Sequence, residues 1–209
     1  MSGSNPEEVV ILENAEASQT GARTLAPDHS PRSAYVERAL PATGSDGIGG
    51  EVAGLQHRVE QFLYYQSELL DGKHWRAFTD LFTDDGTYWM PATPDQQDWI
   101  DSPSIFAEDR SIMSIRAGRI THPNAWSQAP DWATSHVVGN VTVEAESPTE
   151  VRVRSRFIMT ELRRDSLRTF AGSYRHWLVP EGGTFRIKLQ RVDMVNAQAP
   201  YDYVLQAWV

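Results

Sequence analysis

The stretch VEQFLYYQSELLDGKHWRAFTDLFTDDGTYWMP, from Val59 to Pro91, decides the fold because its periodicity changes from helical to extended. Apolar residues first recur every three or four positions, which predicts a helix from Val52 to Leu70 and a short second helix from Lys73 to about Phe82. Asp84-Asp85-Gly86 then predicts a turn. Thr87 to Met90 predicts a strand, which the proline after it ends. The fold is therefore predicted to begin with two helices and a strand.

The segment after this strand is predicted to be a polar surface loop followed by a third helix. Ser104 is the predicted cap of that helix, which runs to about Arg119. Glu108 and Asp109 fall in its early turns, where the helix dipole favours acidic side chains. The predicted buried side of the helix consists of isoleucines, namely Ile105, Ile112, Ile115 and Ile120.

From Ala133 onward, apolar and polar residues alternate, as is typical of strands with one buried face. Turns are predicted at residues 146–149 and 163–165, and Glu181-Gly182-Gly183 is predicted to close a hairpin. Helices first and long strands afterwards predict an α+β fold. In this fold a curved, mostly antiparallel sheet wraps the N-terminal helices.

Composition narrows the function. The chain has 209 residues, a net charge of -9 and no block rich in lysine and arginine, which argues against nucleic-acid binding. It contains no cysteine, so it can hold neither a disulfide nor a thiolate-ligated metal or iron–sulfur cluster. It shows no apolar stretch long enough to span a bilayer and no signal peptide, so the expected location is the cytoplasm.

The chain is predicted to divide into a flexible N-terminal extension, residues 1–50, and a single α+β domain, residues 51–209. The extension is rich in proline, glycine, serine and threonine, and Tyr35 is its one aromatic residue. Two short apolar segments within it, Glu7 to Leu12 and Ser33 to Leu40, could instead become ordered on a partner.

Several motifs of this chain together resemble a known family. The first set comprises Phe62, Leu63, Tyr64, Tyr65, Leu69, Leu70, Asp71, Leu81, Asp84, Tyr88, Trp89, Met90 and Pro91. Further matches follow in order at Trp126, Asn140, Val141, Val153, Ser155, Phe157, Phe170, Gly172, Arg175, Leu178, Phe185, Ile187 and Arg191. The pattern, which covers about residues 55 to 195, resembles the small (beta) subunit of Rieske-type aromatic-ring-hydroxylating dioxygenases.

This resemblance implies the cone-shaped fold of nuclear transport factor 2, also called cystatin-like, which ketosteroid isomerase and scytalone dehydratase share. It also implies a non-catalytic structural subunit without metal, which forms a trimer within an α3β3 hexamer. The large (alpha) subunits would carry a Rieske [2Fe-2S] cluster and a mononuclear Fe(II), dihydroxylate an aromatic substrate in catabolism, and receive electrons from a ferredoxin and a reductase. The substrate pocket is expected on the large subunit.

The chain departs from the family pattern in three places. Ser135-His136-Val137-Val138-Gly139 stands where the family usually has an arginine before its Ile-x-Asn-Val segment. The ending from Tyr201 to Val209 differs from that of close relatives, and the N-terminal extension is longer than usual. These departures indicate a divergent branch of the family.

The histidines leave an enzyme hypothesis open. His122, His136 and His176 are predicted to lie alone on separate elements without close acidic neighbours, so we predict core or interface histidines rather than iron ligands. The alternative is a stand-alone dehydratase or isomerase, or a small-molecule-binding protein, with a cavity formed by Tyr64, Tyr88, Asp109 and His136. His136 bonded to Asp109 would then be the base. Against an open cavity stand six bulky rings predicted to fill the cone: Trp75, Phe78, Phe82, Trp89, Phe157 and Phe170.

Candidate interface residues are mainly arginines. Arg152, Arg154 and Arg156 alternate along one strand, and Arg163, Arg164 and Arg168 follow near the next. They could pair with acids of an adjacent subunit, or they could belong to a solvated strand face. Tyr203 and Trp208, apolar side chains near the chain end, are predicted to be buried against a neighbouring subunit.

Overall fold

The computed structural model describes residues 48–209 apart from 101, 129–131, 202–204, 206 and 207. Side chains are described from residue 54 onward, except that of residue 127. The predicted N-terminal extension therefore lies almost wholly outside the described residues. No helix within the described residues is long and apolar enough to cross a membrane.

Three α-helices and six strands make up the described chain. The helices are α1 (Ile48–Asp71), α2 (Trp75–Asp80) and α3 (Arg110–Ile120), with a 3₁₀ turn at Trp126–Gln128. The strands are β1 (Phe82–Pro91), β2 (Ser104–Asp109), β3 (Trp132–Glu146), β4 (Val151–Arg163), β5 (Ser166–Glu181) and β6 (Thr184–Met194).

The six strands form one sheet in the order β2-β1-β6-β5-β4-β3. All neighbours are antiparallel except β1 and β6, which run parallel. Helix α1 packs against both β3 and β6, so the sheet curves around it. The predicted α+β architecture, with a mostly antiparallel sheet wrapping the N-terminal helices, is confirmed.

The predicted turn at residues 84–86 is wrong, because these residues lie inside β1. Phe82 pairs with Ile187 and Thr87 with Leu189, and the register shifts between the two pairs. At Gly86 an added Cβ would lie 2.7 Å from the Ile187 carbonyl oxygen, so the bulge requires glycine. Pairing with β6 has overridden the local turn chemistry.

The predicted helix from Ser104 is also wrong over its first half. Ser104 begins β2, which pairs with β1, and the helix begins only at Arg110. Its N-cap is Asp109, whose carboxylate accepts a hydrogen bond from the Ile112 amide at 2.8 Å. Ile112 and Ile115, predicted to be buried, are 46% and 61% exposed.

The long hairpins match their predictions closely. Val151, Val153, Ser155, Phe157 and Met159 of β4 are all buried, as the alternation required. Arg164 (φ 54°), and Gly182 (φ 57°) with Gly183 (φ 83°), adopt the left-handed conformation at the two predicted later turns. The first turn is displaced by one residue, since the Ser147 amide donates to the Glu150 carbonyl.

Aromatic rings fill the space between the helices and the sheet. Trp75 stacks on Trp132 at 5.9 Å, and both Trp75 and Phe78 contact Trp208. Five of the six predicted rings belong to this core. Trp89 is the exception: it is buried against Trp99 and Arg191, because strand alternation points it away from its neighbour Tyr88.

Candidate functional site

The end of α1 meets β3 through a carboxylate–imidazole pair. Asp71 Oδ1 lies 2.6 Å from His136 Nδ1, and Asp71 Oδ2 accepts the His136 backbone amide at 2.8 Å. Thr134 Oγ1 also donates to Asp71, at 2.9 Å. The prediction that His136 has no near acid is therefore wrong, and its partner is not Asp109. Because 65 residues separate the two side chains, only the tertiary fold brings them together.

The Asp71 carboxylate of this pair is partly buried and remains ionised. Burial acts to raise the pKa of Asp71, but the hydrogen bonds from His136 and Thr134 outweigh it and lower the pKa below its ordinary value. The ionised carboxylate thus joins the last turn of α1 to β3.

The other members of the alternative acid–base set are engaged elsewhere. Tyr64 is 39% exposed on α1, and Asp109 caps α3. Tyr88 is buried, and its hydroxyl donates to the Val209 carbonyl at 3.3 Å and accepts the Val209 amide at 3.2 Å. Burial raises the pKa of Tyr88 well above its ordinary range. These four residues do not form a shared catalytic cluster.

A second polar group lies in the core between α1 and the sheet. Gln66 Nε2 donates to Gln190 Oε1 at 2.8 Å, and Gln190 stands directly across from His176 on the neighbouring strand. His176 is fully buried, and burial lowers its pKa from 6.5 to about 3 despite the opposing effect of Gln190. The imidazole is therefore neutral at physiological pH.

A buried ion pair anchors the end of the chain. Glu108 is 4% exposed; one of its oxygens accepts from the Arg116 guanidinium, and the other accepts from Trp208 Nε1 at 3.0 Å. The Arg116 guanidinium also lies 4.2 Å from the centre of the Phe106 ring. Trp208, predicted to be buried against a neighbour, is instead buried within its own chain.

An open cleft of about 810 Å³ lies beside this ion pair. Its lining comes from β2, α3 and the segment after α3: Phe106, Ile115, Arg116, Gly118, Arg119, Ile120, His122, Asn124, Ala125, Trp126, Gln128 and Leu205. None of the residues of the predicted acid–base set lines it. No acidic side chain is among the described lining residues. Sequence reasoning missed this cleft because it treated the outward isoleucines of α3 as core.

The donor set of the described residues does not fit the cofactors that the resemblance implies. No group of three or more histidine, cysteine, aspartate or glutamate side chains within these residues is arranged to hold a metal ion. A Rieske cluster needs two cysteines beside two histidines, and the chain has no cysteine. No chemical step is therefore assigned to a metal on this chain.

Three of the predicted interface arginines, Arg152, Arg154 and Arg156, lie on the outer sheet face, the side of β3, β4 and β5 opposite the buried row. Arg152 is paired with Glu150 at 2.8 Å and Arg154 with Glu144 at 2.7 Å, both within the chain. Arg156 is exposed and has no charged partner among the described residues. Arg163 and Arg168 also make contacts, whereas Tyr203 lies outside the described residues.

Apolar side chains accompany these arginines on the outer sheet face. Val137 pairs in register with Ile158, and these side chains are 65% and 52% exposed. Leu162 pairs with Leu167, and both are exposed as well. Sequence reasoning missed them, although Ile158 and Leu162 interrupt an otherwise polar outward row on β4. These exposed apolar side chains make the outer sheet face a candidate surface for contact with a partner.

A curved six-stranded sheet closed by helices over a ring-filled core defines a cone-fold protein, and the described residues assemble neither a metal site nor the predicted acid–base set. Residues 66–200 match the model of the ring hydroxylating beta subunit family, and the chain belongs to that family. It is thus a beta subunit of an aromatic-ring-hydroxylating dioxygenase, an oxidoreductase that also has an alpha subunit. The predicted resemblance is confirmed.

Two relatives illustrate the match. The chain is 29% identical over 172 residues to the biphenyl 2,3-dioxygenase subunit beta of Rhodococcus jostii. This match covers 78% of this chain and 87% of the relative. It is 30% identical over 147 residues to the anthranilate 1,2-dioxygenase small subunit of Acinetobacter baylyi, covering 68% of this chain and 90% of the relative.

Solved structures agree on the fold. The beta subunit of the benzoate 1,2-dioxygenase from Burkholderia mallei superposes with a TM-score of 0.58 at 24% identity, covering 78% of this chain and all (100%) of that one. A nuclear transport factor 2-like protein with a cystatin-like fold from Novosphingobium aromaticivorans gives 0.50 at 15% identity, covering 75% and 95%. The predicted cone fold is therefore confirmed.

Proposed function

We propose that this beta subunit is a non-catalytic scaffold in the cytoplasm, which holds large subunits that carry the Rieske [2Fe-2S] cluster and a mononuclear Fe(II). The observation that supports this most is the donor set: within the described residues, no three histidine, cysteine, aspartate or glutamate side chains are grouped so that they could hold a metal ion. The aromatic substrate would be dihydroxylated on the large subunit, which would also receive electrons from the ferredoxin and reductase. In this arrangement the chain contributes binding surfaces rather than reacting groups.

The named relatives support this division of work. Similar beta subunits occur in dioxygenases named for biphenyl, anthranilate and benzoate, of which the first is a neutral two-ring compound and the other two are one-ring carboxylates. A scaffold that does not contact the substrate can remain similar while the substrate changes. Two features of this chain agree with such a role. Aromatic rings fill its core, and the Asp71 carboxylate and the His136 imidazole are hydrogen-bonded to each other.

The experiment compares the isolated chain with the reconstituted pair. The purified chain is expected to bind no iron and to turn over no arene, whereas the large subunit mixed with it oxidises the arene in the presence of its electron donors. Stoichiometric iron in the isolated chain, measured by plasma mass spectrometry, would sink the proposal.

We further propose that three copies of the chain form a ring within an α3β3 hexamer. A three-fold ring needs a heterologous contact, in which one patch of a copy meets a different patch of the next. The outer sheet face provides one such patch, since it combines the exposed pair Val137 and Ile158 with the uncompensated charge of Arg156. Each copy carries a net charge of -9, so a neighbouring copy has an excess of acidic side chains, which favours its approach to Arg156.

Charge reversal on this face is expected to dissociate the ring. Replacing Arg154 and Arg156 with glutamate places two acids against an acidic neighbour, so the trimer should become monomer at micromolar concentration in sedimentation velocity. Arg76→Glu, at an exposed arginine on α2, is the control for reversing a charge away from this face and should leave the trimer intact. An unchanged oligomer in the double variant would refute the assignment of this face.

A further inference from the structure

Three polar side chains are enclosed together between α1 and the sheet, and we term them the buried polar cluster. Gln66 comes from α1, His176 from β5 and Gln190 from β6, and their exposed fractions are 3%, 0% and 0%. Gln66 Nε2 donates to Gln190 Oε1 at 2.8 Å, and Gln190 is the register partner of His176. Three separate elements thus bring polar groups to one place in the core.

Most polar atoms of this cluster have no hydrogen-bond partner among the described residues. They are Gln66 Oε1, Gln190 Nε2 and both ring nitrogens of His176, and all four atoms are buried. Buried polar atoms in native proteins are nearly always hydrogen-bonded, because removing them from water without a partner destabilises the fold. Four such atoms on three adjoining side chains therefore point to one shared partner.

The two amides form only one of the two hydrogen bonds that they could exchange. Each amide can donate through its nitrogen and accept through its oxygen, but only the bond from Gln66 Nε2 to Gln190 Oε1 is made. The remaining acceptor, Gln66 Oε1, and the remaining donor, Gln190 Nε2, belong to amides that already touch. A molecule that both donates and accepts can therefore bridge them.

The chemistry of the cluster favours a small neutral molecule. Burial lowers the pKa of His176, so its imidazole is neutral, with one ring nitrogen that donates and one that accepts. The cluster itself contains no charged side chain, so it offers no counter-charge to an ion. Buried apolar residues adjoin it, since Val153 is the register partner of His176 on β4 and the Tyr174 ring lies 5.6 Å from the imidazole. Water fits this combination of polarity, neutrality and enclosure.

We propose that the buried polar cluster binds one internal water molecule. The water donates to Gln66 Oε1 and to the unprotonated ring nitrogen of His176, and it accepts a hydrogen bond from Gln190 Nε2. Three hydrogen bonds are the usual number for a buried water. The molecule links α1 to β5 and β6 at once. This site goes beyond the proposed function, because it concerns the interior of the chain and not its partners.

A high-resolution crystal structure of the full chain tests the proposal. The expected result is an ordered density peak within about 3.2 Å of Gln66 Oε1, Gln190 Nε2 and one ring nitrogen of His176, in every copy. In solution, the side-chain amide protons of Gln190 should show a nuclear Overhauser effect to water. Absence of the density peak would overturn the proposal, and so would density larger than one water molecule.

A pair of substitutions tests whether the amides hold the water. Gln66→Leu with Gln190→Leu replaces both amides by apolar side chains, and the peak should disappear because an apolar space in a core stays dry. Gln97→Leu, at an exposed glutamine between β1 and β2, is the control and should retain the peak. A peak that persisted in the double variant would contradict the bridging role of the amides. If the double variant does not fold, the structure of the unmodified chain alone decides.

Discussion

Replacing His176 with phenylalanine is expected to remove most of the acid sensitivity of this fold between pH 6.5 and 4.5. The buried imidazole has a pKa of about 3 in the folded chain, against 6.5 as its ordinary value. Below pH 6.5, His176 therefore binds a proton in the unfolded chain but not in the folded chain. The free energy of unfolding consequently falls as the pH falls. At pH 4.5 the free energy of unfolding is lower by about 3 kcal/mol, because pH 4.5 lies two units below the ordinary histidine pKa of 6.5 and each unit contributes about 1.4 kcal/mol.

The measurement is urea unfolding at pH 7 and pH 4.5 for both chains at equal concentration. Phenylalanine preserves the edge-to-face contact that His176 makes with Tyr174, whose ring centre is 5.6 Å away. It removes no hydrogen bond of Gln190, because neither ring nitrogen of His176 nor Gln190 Nε2 has a hydrogen-bond partner among the described residues. The contribution of Asp71 falls outside this window, because its lowered pKa removes stability only below about pH 4.

His57→Gln provides the control, since His57 is exposed on α1. It should leave the difference between the two pH values unchanged. If the His176→Phe variant lost as much stability between pH 7 and pH 4.5 as the unmodified chain, the conclusion that His176 is neutral in the folded chain would be wrong.

Gly172→Ala is expected to destabilise the fold by about 3 kcal/mol or more, although it adds one methyl group. A Cβ at this position would lie 2.3 Å from the Asp193 carbonyl oxygen and 2.7 Å from Phe157 Cε1. The first of these atoms belongs to the backbone of the paired strand, which cannot move without breaking the ladder between β5 and β6. The glycine is thus required because the Asp193 backbone on β6 and the ring of Phe157, its register partner on β4, both approach it closely.

Gly139→Ala, on β3 of the same sheet, is the matched control because no atom lies within 4 Å of its added Cβ. Urea unfolding at pH 7 should place Gly139→Ala close to the unmodified chain and Gly172→Ala far below it. Equal stability of the two variants would contradict the packing described for Gly172.

The elements with an uninterrupted period were predictable from the sequence. Helix α1 and strands β4 to β6 carry long runs of one period, so local pattern and tertiary burial agree. The segment from Ser104 to Asp109 was not predictable, because its few apolar residues suit a helix and a strand equally. Pairing with β1, which is decided by the rest of the sheet, makes it a strand.

The motifs of the candidate site were only partly predictable for a related reason. Gly172 and Arg191 stood out by resemblance, but their roles depend on atoms of other strands and loops. The Asp71–His136 pair joins residues far apart in the chain, and no spacing rule predicts it. Trp208 was predicted to be buried against a neighbouring subunit, whereas contacts with Glu108 and Trp75 bury it within the core of its own chain.

The central claim is that this chain is a metal-free scaffold for a large iron-containing subunit. Native mass spectrometry of the two chains expressed together, followed by iron analysis of each separated chain, tests it most directly. The account predicts three copies of each chain in one particle, with all of the iron on the large subunit. A chain that stays apart from the large subunit, or that carries the iron itself, would contradict it.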